Sequence, residues 1–230
     1  MNSPQENILL IVGRNDWQRH DALNSALLDR LKDTGLQIIW EDPAAKLLYN
    51  IRRILRGFHP SAELNNMFCM RIIQILTSLA QPSYPYFAYN RRRGAIAARC
   101  KTLKKIIQRL DKPKHAIALS RSSGGRVSSL IADELQLKQI ICLGYPFKHP
   151  TKNEQAERYQ HLAKLRTPML IFQGVKDQYG GSEVLEKYPL SPMVEVELVD
   201  TDHHFEIEHD RLQIIANKIQ NIIESPTTES

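Results

Sequence analysis

Ser122 stands within Ala116-Ile117-Ala118-Leu119-Ser120-Arg121-Ser122-Ser123-Gly124-Gly125-Arg126, an apolar strand-like run that breaks at small residues into a glycine-assisted helix start. A serine on so tight a turn is presented above the end of its strand at a helix N-terminus, the arrangement known as a nucleophile elbow. The strict pattern is G-x-S-x-G, and Ser120 occupies the first glycine position, a sterically mild departure. The backbone N–H of Ser123 is then the expected oxyanion donor, assisted by the helix dipole. The plain alternative is a Ser/Gly-rich turn that only caps a helix or grips an anion.

A hydroxyl attacks a carbonyl only if a base takes its proton and an acid orients that base. Two later strand ends supply such groups in the order acid, then histidine. Pro168–Phe172 continues through Gln173, a glycine turn and Lys176 to Asp177, and Val196–Val199 runs into Asp200-Thr201-Asp202-His203-His204-Phe205. Asp177 is the candidate acid and His203 the candidate base. Asp177 as a turn residue and His204 as the base are the alternatives, and Asp202 reads as a loop cap. His203, His204 and His209 lack a helical metal-binding spacing with a carboxylate, so neither a metal nor a cofactor is expected.

The elements that must position these groups alternate. Strands are predicted at Ile8–Val12, Leu36–Trp40, Ala116–Leu119, Ile140–Leu143, Met169–Phe172 and Val194–Val199. Helices are predicted at Ala22–Leu31 (ending before Gly35), Ala95–Leu110 (stopped by Pro113), Gly125–Leu135 and Arg211–Ile223. Six apolar strands alternating with helices imply an α/β class with a mostly parallel sheet covered on both faces. Residues 1–225 read as a single domain and 226–230 as a disordered tail.

At this point the chain resembles the small α/β-hydrolases of the dienelactone-hydrolase-like type, in the compact KANL/Tex30-like branch. That branch carries G-R-S-M-G-G-R where Ser120–Arg126 reads S-R-S-S-G-G-R, and L-G-Y-P is matched by Leu143–Pro146. Its Q-G-x-x-D-x-x-G is matched from Gln173 to Gly180, and its D-H-S-F by Asp202–Phe205. The resemblance is good over roughly residues 95–224 and topological over 8–42. It implies an α/β-hydrolase fold with Ser122 as nucleophile, Asp177 as acid and His203 as base. The branch has H-G-A-G after its first strand, where this chain has Val12-Gly13-Arg14-Asn15, so the second oxyanion donor is expected to be the N–H of Arg14. Gly13, Arg19, Arg121 and Tyr145 are the substrate-binding candidates, with arginines that would favour an anionic ester or thioester.

Residues 44–90 have no clear counterpart in the branch and read as a helical insertion: Ala44–Arg56, Glu63–Leu79 and a Pro/Tyr-rich loop, Gln81–Tyr89. Two apolar stripes are predicted, Ile51/Ile54/Leu55/Phe58 and Met67/Met70/Ile73/Leu76. They suit core packing or a lid over an acyl pocket.

Charge is unevenly spread. The net formal charge is +6, yet residues 44–110 hold thirteen basic side chains against the single acid Glu63. Solvated helix faces explain such a run, and contact with an anionic membrane or an acidic partner is the sharper reading. Arg91–Arg93 comes without a nucleic-acid-binding signature, so nucleic acid is not favoured. Cys69, Cys100 and Cys142 are sparse, odd in number and fit no zinc pattern, which suits a reducing, cytoplasmic setting. No apolar run approaches the roughly 20 residues of a membrane span. Two functions remain open: a serine hydrolase acting on a small ester, or a non-catalytic fold that docks an acidic partner through its basic segment.

Overall fold

The structure is a computed structural model that describes residues 7–13, 17, 24–32, 36–58, 67–81, 96–110 and 113–225. Arg14, Asn15, Arg19, the loop Gln81–Tyr89 apart from Gln81, Arg91–Arg93 and the tail 226–230 lie outside the described residues.

Strand β1 is Ile8–Val12, buried along its whole length. A helical segment, α1, follows as a π-helical turn, Ser25–Asp29, that continues into Arg30–Lys32. Then come β2 (Gln37–Trp40), α2 (Pro43–Phe58), α3 (Met67–Ala80) and α4 (Ile96–Ile107). The C-terminal half is β3 (Ala116–Arg121), α5 (Ser123–Leu135), β4 (Gln139–Leu143), β5 (Met169–Gly174), α6 (Val184–Lys187), β6 (Val194–Val199) and α7 (His209–Glu224).

The six strands form one sheet in the order β2-β1-β3-β4-β5-β6, and every neighbouring pair is parallel. This is the sheet that the alternation of strands and helices predicts. Parallel strands need long crossovers, and crossovers put helices on the faces, so β1, β3, β4 and β5 read as near-continuous apolar runs. Alternate side chains sort cleanly to the two sides. Leu9, Ile11, Ile117, Leu119, Ile141, Leu143, Leu170 and Phe172 pack with α1 and with Leu212, Ile215 and Ile219 of α7. Leu10, Val12, Ala116, Ala118, Ile140, Cys142 and Ile171 pack with Leu103 and Ile107 of α4 and Val127 and Ile131 of α5. Two dry faces clamp the strands, so the residues at their C-terminal ends are held in fixed relative positions.

The insertion departs from its predicted stripes. On α2 the buried residues are Ala44, Ala45, Leu48, Tyr49 and Arg52, whereas Ile54 and Phe58 are exposed. On α3, Ile73 is buried against Ala44 and Leu48, whereas Leu76 is exposed together with Ile72, Ile75 and Leu79. Helical spacing identifies a face but not the face a neighbour covers, and here the helix pair is joined by a small contact of its own. Among the described residues no helix is long and apolar enough to cross a membrane.

Candidate active site

Ser122 sits in the tight connection between β3 and α5 with φ 47° and ψ −120°. A positive φ is strained for a residue with a Cβ, and such strain is found where a side chain must be aimed. The turn is held by the Ser122 N–H donating to the Leu143 carbonyl (3.2 Å) and the Gly125 N–H donating to the Ser122 carbonyl (2.9 Å). The Ser122 hydroxyl makes no capping bond to α5, so the plain helix-cap alternative does not describe it. The helix itself begins at Ser123, two residues earlier than its glycines suggest.

Small residues make the turn possible. A Cβ on Gly124 would lie 2.3 Å from the Val12 carbonyl oxygen, and one on Gly125 would lie 2.4 Å from Cys142 Sγ. Ser120 stands at the first glycine position of the pattern, and its fully buried hydroxyl pairs with Ser128 Oγ at 2.8 Å.

The Ser122 Oγ lies 2.9 Å from His203 Nε2, and His203 Nδ1 lies 2.7 Å from Asp177 Oδ2. A carboxylate can only accept, so Nδ1 carries the proton of the neutral ring and Nε2 is left to accept from Ser122. Asp177 is 3% exposed and His203 9%. The Asp177 carboxylate also receives the Gln173 side-chain amide on Oδ2 (3.0 Å) and the Tyr179 N–H on Oδ1 (2.7 Å). Gly144 lies beside His203 and Asp177, and its φ of 68° is a backbone conformation that glycine takes without strain. The Tyr179 ring flanks His203, with centroids 4.4 Å apart.

The two loops that carry acid and imidazole are sewn together. The Lys176 N–H donates to the Thr201 carbonyl (3.0 Å), and Gly174 leaves space for that same carbonyl, which a Cβ would meet at 2.6 Å. His204 is exposed, and its N–H donates to Asp202 Oδ1 (2.8 Å), so Asp202 is a cap within the loop and His204 is not the histidine on Ser122.

Two of the substrate-binding candidates have other work. Arg121 is buried, and its guanidinium donates to the carbonyls of His203 (3.4 Å) and His204 (3.2 Å) while lying 5.7 Å from the Phe205 ring centroid. It braces the histidine loop rather than lining an open cleft. Tyr145 is fully buried, with its hydroxyl on the Arg158 carbonyl (2.6 Å) and its N–H on Gln173 Oε1 (2.8 Å). Gly13 keeps its place at the end of β1 with φ 137°, its N–H donating to Glu41 Oε2 (3.0 Å). Arg14 and Arg19 lie outside the described residues.

Sequence reading gave no part to Gln173, which holds Asp177, or to Glu41 and Arg99. Arg99 forms a two-pronged ion pair with Glu41 (2.7 and 2.6 Å) and donates to Ser123 Oγ (2.7 Å). For Gln173 the signal was present as the first residue of the acid motif. Glu41 and Arg99 are 58 positions apart and belong to no motif.

A serine at a strained strand-to-helix turn, above a parallel sheet covered on both faces, defines the α/β-hydrolase fold. The chain belongs to the alpha/beta hydrolase domain family, whose family model matches residues 62–227. No curated protein matches it in sequence. Among solved structures it is similar to a thioesterase domain from the curacin biosynthetic pathway, with 10% identity, TM-score 0.56, 96% of this chain and 93% of that one covered. It is similar to a hydrolase from Oleispira antarctica, with 11% identity, TM-score 0.56 and coverages of 98% and 93%. The esterase domain of a Rhodothermus marinus protein aligns at 11% identity, TM-score 0.50 and coverages of 97% and 88%. At such identities the likeness is one of fold.

Proposed function

We propose that this alpha/beta hydrolase is a serine esterase or thioesterase that cleaves a small substrate through an acyl-enzyme on Ser122. The observation that carries this reading is the continuous relay from Ser122 Oγ through His203 to Asp177, at 2.9 and 2.7 Å. His203 takes the Ser122 proton as Oγ attacks the carbonyl carbon, and Asp177 stabilises the imidazolium that forms. The imidazolium then gives that proton to the departing alkoxide or thiolate, leaving the acyl group on Ser122. Water, deprotonated by His203, attacks the acyl carbon, and collapse of the second tetrahedral intermediate returns the proton to Oγ and releases the acid.

The oxyanion is received by the Ser123 N–H, which as the first residue of α5 has no acceptor within the helix. The Gly13 N–H is already engaged by Glu41, and we propose the backbone N–H of Arg14, the donor that the motif comparison implies, as the second. A preference for anionic substrates rests on Arg14 and Arg19 alone, since the Arg121 guanidinium is bonded to the histidine loop. The finer likeness to the dienelactone-hydrolase-like, KANL/Tex30-like branch is supported by the positions its motifs take, with Gln173 on Asp177 and Gly144 beside His203. A cytoplasmic setting is supported by the free thiols of Cys100 and Cys142.

A fluorophosphonate probe tests the reading. Wild type is labelled and Ser122→Ala is not, while His203→Ala and Asp177→Asn label far more slowly. A wild type left unlabelled rejects the esterase reading in favour of a fold used for binding.

A further inference from the structure

A buried ion pair links the first residue of α5 to the end of β1. Arg99, on α4, is 5% exposed, and Glu41, just beyond β2, is 3% exposed. The pair is two-pronged, with Arg99 Nε on Glu41 Oε1 (2.7 Å) and a terminal guanidinium nitrogen on Oε2 (2.6 Å). From this pair two arms reach out. Glu41 Oε2 accepts the N–H of Gly13 (3.0 Å), and the other guanidinium nitrogen donates to Ser123 Oγ (2.7 Å). The Glu41 backbone is itself anchored to β1 through its N–H on the Ile11 carbonyl (2.9 Å).

The arms end at telling places. Ser123 follows the nucleophile, and its amide is the proposed oxyanion donor; Gly13 closes β1, whose end packs against the first turn of α5. Fixing the Ser123 side chain fixes the rotation of its residue at the first turn of α5. Fixing the Gly13 N–H, at a φ of 137° that only glycine takes easily, fixes the end of β1 against the first turn of α5. The two sides are also in contact, since a Cβ on Gly124 would lie 3.0 Å from the Gly13 nitrogen. Burying two charges is unfavourable unless they are paired and hydrogen-bonded, and here the bonds go to the backbone and hydroxyl whose aim decides oxyanion binding.

We infer that Glu41 and Arg99 are positioning residues that set the aim of the Ser123 oxyanion donor and hold the Gly13 end of β1 beside it. The inference rests on Ser122 being the nucleophile, as proposed above. It goes beyond that reading in assigning catalytic geometry to an ion pair that touches no substrate. A planar guanidinium spans Glu41 and Ser123 at once, and an ammonium at the same position keeps the charge without the fork.

Arg99→Lys therefore separates geometry from charge. Wild type and variant are titrated with a fluorophosphonate, so that turnover of a short p-nitrophenyl ester is counted per reactive Ser122. The expected result is a kcat about tenfold lower, with KM within about twofold, as for a misaimed group near the reacting centre. Binding of a phenylboronic acid, which becomes tetrahedral on Ser122, weakens by about the same factor as kcat. A pair that only stabilised the fold would lower the number of titratable sites and leave kcat per site and boronate affinity at wild-type values. That result overturns the inference and leaves the nucleophile reading intact. A wild type that takes no probe overturns both. Should Arg99→Lys fail to fold, Ser123→Ala decides alone: it deletes one hydroxyl, its kcat per site falls with KM held if the inference is right, and an unchanged kcat overturns it.

Discussion

The Asp177 carboxylate receives three donors, and only one of them is the histidine. His203 and the Gln173 amide share Oδ2, and the Tyr179 N–H takes Oδ1. Gln173 also donates to the Gly180 carbonyl and accepts from the Tyr145 N–H, so one buried amide ties the acid to the loop on either side of it. Such a carboxylate cannot swing away from the imidazole as charge develops. Gln173→Leu has nearly the same volume and removes all three bonds, leaving the Tyr145 N–H without its acceptor. Each buried polar group so stranded costs about 1–3 kcal/mol. A loss of about 2–4 kcal/mol is expected in denaturant unfolding. On the proposed esterase activity, kcat falls about tenfold through lost orientation of the acid. Wild-type stability and kcat in this variant would show that Gln173 only fills space. The contrast with Arg121 is instructive, because both are polar residues beside the site. Arg121 ends the buried strand β3, and its neighbours in sequence suggest a cleft; the carbonyls it binds belong to residues 203 and 204, which no local pattern connects to it.

At the scale of elements, the end of β1 and the start of α5 must approach more closely than side chains permit. Gly124 provides that approach, with the Val12 carbonyl oxygen 2.3 Å from where its Cβ would be. Gly124→Ala pushes strand and helix apart next to Ser123, whose N–H is the proposed oxyanion donor. Overpacking of this kind typically costs about 1–3 kcal/mol. The expected outcome is a lowered thermal midpoint and an esterase rate reduced more than the loss of folded protein explains, measured per titrated Ser122. A variant with the wild-type rate per site would show that this contact does not set the aim of the Ser123 donor. These elements were legible in the sequence because the sheet is parallel. A strand buried on both faces must be apolar throughout, and a strand-to-helix turn this tight must be built from serine and glycine, so both leave local traces. The helix pair α2 and α3 was less legible. Its periodicity is helical, but Ile54, Phe58 and Leu76 are exposed while Tyr49 and Arg52 are buried. Periodicity reports a helix's own symmetry, and burial depends on what packs against it. The Glu41–Arg99 pair was illegible for the same reason, being a contact between distant segments.

For the molecule as a whole, the second face of the sheet contains a feature that ties folding to acid. His161 lies in the 3₁₀ turn Gln160–Lys164, within 2.8 Å of Ser129 Oγ on α5 and 3.4 Å of the Tyr145 hydroxyl. Burial, and then the nearby Arg126 guanidinium, push its pKa down from 6.5 to about 4. The unfolded chain therefore binds a proton at a pH where the folded chain refuses it. Between pH 6.5 and about 4 the unfolded state carries more protons, so stability falls as pH falls through that window and levels off below it. One pKa unit corresponds to about 1.36 kcal/mol, and partial exposure of the ring reduces the total to an effect on the order of 2 kcal/mol. The Asp133 carboxylate acts in a different range. At Asp133 burial opposes ionisation, but the Thr167 hydroxyl and the N–H groups of Arg166 and Thr167 outweigh it and hold its pKa below the ordinary carboxylate value. Its contribution is therefore lost only under more acidic conditions. The net charge of +6 grows on acidification and adds self-repulsion, which wild type and variant share. His161→Gln keeps a partner for Ser129 and removes the titration. Its unfolding free energy, followed by urea denaturation from pH 7 to pH 4, is expected to fall less than that of wild type by on the order of 2 kcal/mol. Parallel curves for the two proteins would mean that the imidazole is protonated in the folded state, and that the α5 face opens to solvent at that turn.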